Sequence, residues 1–121
     1  MAPQAAKAAK RAPERRQRRY PRYRVEFPVR LTLLSSAGRQ SLDAHSKDLS
    51  VAGIGVLIAE ELNLGEVVAL AFAPPGSSEP WELRAVLRHR RGYHYGFEFL
   101  SLSGQQGDVL RKYLPGLERA D

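Results

Sequence analysis

Apolar and polar residues alternate along this chain in short runs that begin at Val25 and end at Phe99. A period of two places apolar side chains on one face of a β-strand and polar side chains on the other. Turn-forming residues such as Pro74-Pro75-Gly76 and Arg91-Gly92 separate the runs. We therefore predict six strands, over residues 25–33, 40–49, 54–59, 67–73, 81–90 and 93–99.

Six short strands joined by turns are typical of a small antiparallel barrel. Beyond the last run, Ser103 to Leu114 has the pattern of a helix that starts at the N-cap Ser103 and stops at Pro115-Gly116. Its apolar stripe is Val109, Leu110, Tyr113 and Leu114. The predicted fold is mainly all-β: a six-stranded antiparallel β-barrel with a short C-terminal α-helix. In the fifth strand, we expect the apolar face to extend as far as His89.

The basic charge is concentrated at the start of the chain. Residues 1–24 hold nine Lys or Arg and one acidic residue, whereas residues 25–121 hold ten basic and twelve acidic residues. Residues 1–16 have few apolar side chains whose burial could offset the entropy lost on ordering. We expect residues 1–16 to be a flexible, disordered basic tail and residues 17–116 to form the barrel domain with its helix. An anionic partner would meet the tail first.

Several classes of function are disfavoured by composition. The chain has no cysteine, which excludes disulfides and thiolate metal sites. The chain has no run of 18 apolar residues, so no membrane insertion is predicted. The first ten residues also lack the apolar core of a signal peptide, so a cytoplasmic location is expected. His45 and His94 have no acid or histidine at metal-ligand spacing. We predict no metal, no cofactor, no catalytic residues and no enzymatic activity.

Arginines crowd the segment just before the first strand. Arg18, Arg19 and Arg22 lie within five residues, and Pro21 favours an extended conformation for Tyr20. A guanidinium can donate two parallel hydrogen bonds to a phosphate, or stack its planar face on a base. This segment is therefore a candidate site for a phosphate or a nucleotide.

A second polar segment, residues 48–53, is expected to form a loop between the second and third strands. The Asp48 carboxylate can accept hydrogen bonds from N1–H and N2–H of a guanine, or hold an arginine. Ser50 can donate to a phosphate or a base edge, and Gly53 allows close approach of the backbone or a positive φ. By itself, Asp-x-Ser-x-x-Gly is a common kind of turn.

The two segments together resemble the PilZ domain, a family of six-stranded antiparallel barrels that bind the bacterial second messenger cyclic di-GMP. The resemblance covers about Arg15 to Leu114 and includes Arg-x-x-x-Arg, Asp-x-Ser-x-x-Gly and the strand Gly96-Phe97-Glu98-Phe99. It implies that the arginines bind phosphates and guanine edges, with the middle one stacking on a base, and that the second segment binds guanine. The ligand-binding residues implied are Arg18, Arg19, Arg22, Asp48, Ser50 and Gly53.

The resemblance implies a cyclic di-GMP receptor that orders its Arg-rich N-terminal segment over the barrel and signals to a partner protein. One alternative is a PilZ-like docking module for motility or pilus regulation that binds no nucleotide. Another is a basic-armed barrel for single-stranded nucleic acid, which would need exposed aromatic side chains along a groove. Because Phe97 and Phe99 alternate as core residues, nucleic acid is not the expected partner.

Two details remain open in the sequence. Arg15-x-x-x-Arg19 and Arg11-x-x-x-Arg15 also fit the arginine pattern, and we prefer Arg18 with Arg22 because the segment around Arg22 adjoins the first strand. A second basic cluster, Arg88-His89-Arg90-Arg91, is either a solvated rim or a border of the ligand site.

Overall fold

The computed structural model describes residues 20–35 and 38–121. The expected tail at residues 1–16, together with Arg18 and Arg19, lies outside the described residues. The elements, in chain order, are β1 (Tyr23–Arg24), β2 (Pro28–Ser35), β3 (Gly38–Leu49), β4 (Gly53–Leu57), β5 (Val67–Phe72), β6 (Trp81–Arg91), β7 (His94–Phe99), α1 (Gly104–Tyr113) and a 3₁₀ turn (Leu114–Gly116).

The strands close into an antiparallel barrel. Their order is β1-β3-β2-β5-β6-β7-β4, and an additional pairing of β3 with β4 closes the sheet. The two-residue β1 pairs with the C-terminal end of β3, on the same edge of β3 that pairs with β2 over residues 38–45. Six strands therefore make the barrel, and the prediction of a six-stranded antiparallel barrel with a short C-terminal helix is confirmed.

The alternating apolar residues fill the interior of the barrel. Burying one large aliphatic side chain contributes about 1.5–3 kcal/mol. The hydroxyl of the buried Tyr95 donates to the main-chain oxygen of Glu60 (2.8 Å) and accepts from the amide of Leu62 (3.3 Å), so its polar end is satisfied. The largest fully buried side chains include Leu31, Leu49, Ile58, Leu70, Leu87, Tyr95 and Leu110.

Helix α1 begins after Ser103, as predicted. The Ser103 hydroxyl accepts from the Gln106 amide and the Gln106 side chain accepts from the Ser103 amide, which forms a capping box. Leu110 and Leu114 are buried in the core, whereas Tyr113 is exposed, so the buried stripe is narrower than predicted. Within the described residues, none of the helices has the length and apolar character needed to cross a bilayer.

Two β-bulges decide which side chains face outward. On β3, Lys47 is an extra residue with no counterpart on β4, and on β6, Arg88 is an extra residue with no counterpart on β7. An extra residue reverses the alternation of faces beyond it. Asp48 and His89, which follow the two bulges, therefore lie on the outer face. The expectation that His89 continues the core face of the fifth strand is wrong, because its side chain is exposed.

The first predicted strand, residues 25–33, is interrupted. Residues 25–27 separate β1 from β2. The Phe27 amide donates to the Ser46 hydroxyl and the Phe27 oxygen accepts from the Ser46 amide, which interrupts the regular ladder. The predicted loop at residues 48–53 is also shorter than expected, because Asp48 still belongs to β3 and Gly53 is the first residue of β4. The connection itself is residues 50–52.

The C-terminal segment, residues 118–120, pairs with the free edge of β1. The Arg24 amide donates to the Glu118 oxygen and the Ala120 amide donates to the Arg22 oxygen, each at 2.8 Å. Between these two hydrogen bonds, Tyr23 and Arg119 form a β-bridge, and the Arg119 guanidinium lies 5.8 Å from the centroid of the Tyr23 ring. The chain around Arg22 is thus held between β3 and the C-terminal segment.

Candidate functional site

A cavity of about 340 Å³ opens on the outer face of the barrel, where β3, β4, β6 and β7 lie side by side. Four of the six predicted site residues line it: Arg22, Asp48, Ser50 and Gly53. The other two, Arg18 and Arg19, lie outside the described residues. The volume falls at the small end of the range of about 300–1,000 Å³ typical of ligand pockets.

The Asp48 carboxylate occupies one side of this cavity. Its two oxygens have different neighbours: Oδ1 lies 4.0 Å from Nη1 of Arg22, and Oδ2 lies 3.1 Å from Nε2 of His94. The Asp48 side chain is 13% exposed, which leaves it accessible from the cavity but largely shielded from bulk water. Electrostatic attraction is stronger in such a setting than at a fully exposed surface.

Two glycines form a flat floor beside this carboxylate. Gly55 on β4 pairs with both Asp48 on β3 and Gly96 on β7, and Gly96 pairs in turn with His89 on β6. A Cβ on Gly55 would lie 2.6 Å from Oδ2 of Asp48, and a Cβ on Gly96 would overlap the His89 ring. The Asp48 and His89 side chains, at the two ends of the row Asp48–Gly55–Gly96–His89, therefore lie over the glycines in space that a Cβ would otherwise fill.

Ser50 closes the turn between β3 and β4. Its hydroxyl oxygen accepts from the amides of Ala52 (3.0 Å) and Gly53 (3.2 Å), and its own amide donates to the Gly53 oxygen (2.9 Å). Both lone pairs of this oxygen are thus engaged, and the hydroxyl proton is what Ser50 offers to a ligand. The Ser50 residue is only 6% exposed, so the turn is also part of the barrel's structure.

Gly53 is required by packing between strands. Its φ is not among the positive values in the described residues, which belong to Gly65, Gly76 and Gly92. A Cβ on Gly53 would overlap the carbonyl oxygen of Phe97 on β7. Of the two reasons foreseen for a glycine here, close approach applies and positive φ does not, and the approach seen is between main chains.

Arg22 reaches the cavity from the start of β1. Its side chain is 30% exposed, and its main-chain oxygen accepts from Ala120, so the residue is fixed at its backbone and free to adjust at its guanidinium. At 4.0 Å the contact with Asp48 is an ion pair rather than a short hydrogen bond. A ligand that carries both a negative group and hydrogen-bond donors could engage the two side chains together.

Sequence reasoning missed part of the cavity wall. Arg88 and His89 line the cavity, so half of the second basic cluster borders the site, and the Arg88 Nε donates to Glu98 at 2.7 Å. Tyr20 also lines it. His94 was considered only as a metal ligand and set aside, yet it contacts Asp48 across 46 positions. The run of basic residues Arg88-His89-Arg90-Arg91 was the available signal for Arg88 and His89.

The cavity wall combines charged groups of both signs that can bind a ligand. Arg22 and Arg88 bring positive charge to its wall, while the carboxylate of Asp48 can accept from N–H donors. Among residues 20–35 and 38–121, no three His, Asp or Glu side chains are grouped as metal ligands would be. Because Asp48 and Glu98 also line the cavity, the arrangement fits a molecule that carries both negative groups and adjacent N–H donors.

A model of the PilZ domain family matches residues 16–116 of the chain. Among curated proteins, an uncharacterized protein of Aquifex aeolicus (strain VF5) is 36% identical over 70 residues. That match covers 55% of this chain and 34% of the relative, so the chain spans about a third of the relative's length.

Solved structures share the fold at low sequence identity. The PilZ domain of YcgR from Escherichia coli with c-di-GMP is 20% identical, with a TM-score of 0.62 over 84% of this chain and 91% of that one. The inhibitor of motility MotI/DgrA of Bacillus subtilis is 17% identical, with a TM-score of 0.67 over 83% of this chain and 50% of that one. The PilZ domain of CeSA from a cellulose-synthesizing bacterium is 20% identical, with a TM-score of 0.58 over 78% and 95%.

Proposed function

The chain belongs to the PilZ domain family, and we propose on this basis that it is a receptor for cyclic di-GMP. The observation that carries the proposal is the cavity that brings Arg22, Asp48, Ser50 and Gly53 together on one face of the barrel. A known PilZ domain with c-di-GMP, that of YcgR, has the same fold. Because the messenger is bacterial and intracellular, the proposal places the protein in bacterial cytoplasm and gives it no catalytic reaction.

In this proposal, Asp48 recognises the base. A guanine presents N1–H and N2–H side by side, and a carboxylate can accept both. The base would approach from the cavity, where the side chains of Asp48 and His89 lie over Gly55 and Gly96. The hydroxyl proton of Ser50 would be donated to an acceptor on the same ligand.

Arginines recognise the phosphates. Arg22 is anchored at its backbone beside Asp48, so little backbone freedom is lost when its guanidinium pairs with an anion. Arg18 would bind a second phosphate or guanine edge and Arg19 would stack on a base, as the family resemblance implies. On binding, the Arg-rich segment that begins before Arg22 becomes ordered over the barrel.

The ordered segment would form a new surface for a downstream protein. Such signalling needs the ligand to favour one of two states of the segment, and the difference in ligand affinity between the states sets the size of the switch. The bound segment and the adjacent barrel surface together would be the docking site. A variant that binds the ligand but lacks residues 1–16 would test whether the tail contributes to the partner's affinity.

Replacing Arg22 by Ala tests the assignment. Hydrogen bonds to charged groups contribute about 1.5–3 kcal/mol each, so Arg22→Ala should weaken cyclic di-GMP binding by about 10- to 100-fold. Titration calorimetry measures the Kd. The matched control is Arg84→Ala, because Arg84 is exposed on β6 and does not line the cavity.

Competition distinguishes the proposal from its alternatives. GTP and a single-stranded oligonucleotide should displace cyclic di-GMP poorly. An unchanged Kd in Arg22→Ala would sink the site assignment. No binding of cyclic di-GMP by the wild-type protein would favour the docking module, and displacement by the oligonucleotide with a steep salt dependence would favour nucleic acid.

A further inference from the structure

His94 makes a contact that the two binding motifs do not predict. It is the first residue of β7, and its Nε2 lies 3.1 Å from Oδ2 of Asp48 on β3. The two side chains are 29% and 13% exposed, so the contact is partly shielded from water. β4 lies between the two strands, which means that the contact reaches across a whole strand.

Gly55 makes this reach possible. Neighbouring strands are about 4.8 Å apart, so β3 and β7 are separated by roughly twice that distance. A Cβ on Gly55 would lie 2.6 Å from Oδ2 of Asp48 and 2.7 Å from Nε2 of His94. The missing side chain therefore provides the space in which the carboxylate and the imidazole meet.

A carboxylate that must accept two N–H groups of one base needs a fixed plane. The terminal torsion of an Asp side chain is broad, so the carboxylate rotates unless a neighbour holds it. Each oxygen has two lone pairs, so a hydrogen bond from His94 to Oδ2 leaves one lone pair there for a ligand. Arg22 at 4.0 Å from Oδ1 is too distant to fix the plane alone.

The imidazole is itself held in place. The rings of His94 and His89 are stacked, with centroids 6.4 Å apart and planes 14° from parallel. His89 in turn covers Gly96, so the ring stack lies over the glycine floor. The orientation of His94 is thus set by the sheet and by a neighbouring ring.

We propose that His94 is a positioning residue that donates its Nε2–H to Asp48 and fixes the carboxylate plane in the orientation that recognises guanine. This inference rests on the proposed function, because it assigns Asp48 to the base. It predicts that the role of His94 depends on the hydrogen-bond donor rather than on the shape of the ring.

Two substitutions separate donor from shape. His94→Phe keeps a ring and removes the donor, whereas His94→Gln places an amide N–H close to the position of Nε2. His94→Phe should weaken cyclic di-GMP binding about tenfold, and His94→Gln should stay within about threefold of wild type. The matched control is His45→Phe, because His45 is exposed and lines a different cavity. Circular dichroism melting establishes that each variant folds.

A ligand change tests whether the effect acts through the base. In the analogue of cyclic di-GMP with inosine in place of guanosine, the 2-amino group is absent and one N–H to Asp48 is lost. His94→Phe should therefore weaken binding of this analogue by no more than about threefold. A purely structural role would weaken both ligands by the same factor.

The outcomes distinguish this inference from the proposed function. If the wild-type protein binds and His94→Phe has the affinity of His45→Phe, or weakens both ligands equally, His94 does not position Asp48. A folded His94→Gln variant as weak as His94→Phe would also overturn the inference. Failure of the wild-type protein to bind cyclic di-GMP would instead overturn the proposed function itself.

Discussion

Substitution of Gly55 by Ala should separate ligand binding from folding. The new Cβ would lie 2.6 and 2.8 Å from the two oxygens of Asp48 and 2.7 Å from Nε2 of His94. To regain an ordinary contact of 3.4 Å, the nearer oxygen must retreat by about 0.8 Å. All three atoms are ends of side chains, so the backbone can stay in place while the binding group moves.

The magnitudes favour nearly unchanged stability. Replacing a glycine within a strand by Ala raises the free energy of unfolding by about 0.5–1 kcal/mol, because the unfolded chain then has fewer accessible conformations. Loss of the hydrogen bond between the Asp48 carboxylate and His94 costs about 1.5 kcal/mol, at the lower end of the range for charged groups because the pair is partly exposed. The free energy of unfolding should therefore stay within about 1 kcal/mol of wild type, and Tm within about 5 °C.

Ligand binding should fall much further. A displacement of this size breaks at least one charge-assisted hydrogen bond between Asp48 and a guanine, worth about 1.5–3 kcal/mol. We expect the Kd for cyclic di-GMP to rise by about 10- to 100-fold in titration calorimetry. The matched control is Gly104→Ala at the start of α1, where a Cβ meets no atom within 4 Å. A folded Gly55→Ala protein that binds as tightly as wild type would refute this account of the glycine floor.

Two further predictions concern the neighbouring backbone. Gly53→Ala pushes a Cβ into the carbonyl of Phe97, which belongs to a strand and cannot move aside, so unfolding by urea should show a loss of about 2 kcal/mol or more; a stability equal to that of Gly55→Ala would contradict the packing role. Ala120→Pro removes the N–H that is donated to Arg22, so amide exchange at Arg24 should accelerate and cyclic di-GMP should bind about 3- to 10-fold more weakly. Ala120→Val keeps that N–H and serves as the control, and equal exchange rates in the two variants would exclude the effect.

The barrel and its helix could be predicted because their signals are local. Apolar patterning and the turn residues between the runs identified all six barrel strands to within a few residues, and Ser103 marked the start of α1. The interruption at residues 25–27 was not predicted, because an alternating pattern does not reveal where a ladder skips a residue.

The outer face was harder to predict because it depends on the bulges. On β3, the inward-facing residues have even numbers up to Ser46, and the next one is Leu49. Because Ser46 is polar, the sequence does not show it as an inward position, and the shift stays hidden. On β6, nothing in the pattern marks Arg88 as an extra residue, so His89 was placed on the wrong face. Bulges are main-chain features that arise from pairing with a distant strand, which a local pattern does not contain.

The two sequence motifs named four residues that the fold brings together: Arg22, Asp48, Ser50 and Gly53 line one cavity. Their role in binding a ligand stays a prediction. The contact of His94 with Asp48 requires that Gly55 lie between them in space, and no spacing in the sequence expresses that requirement. Pairing of three strands brings these residues together.

The pairing of residues 118–120 with β1 makes a mechanical connection between the end of the described chain and Arg22. Two main-chain hydrogen bonds carry it, each worth about 1 kcal/mol net, so a modest pull could separate them. A domain fused after Asp121 would exert any tension first on the strand that bears Arg22. Force applied at the C-terminus would therefore act on ligand affinity before it acted on the barrel, which makes this junction a natural place to attach a tension reporter.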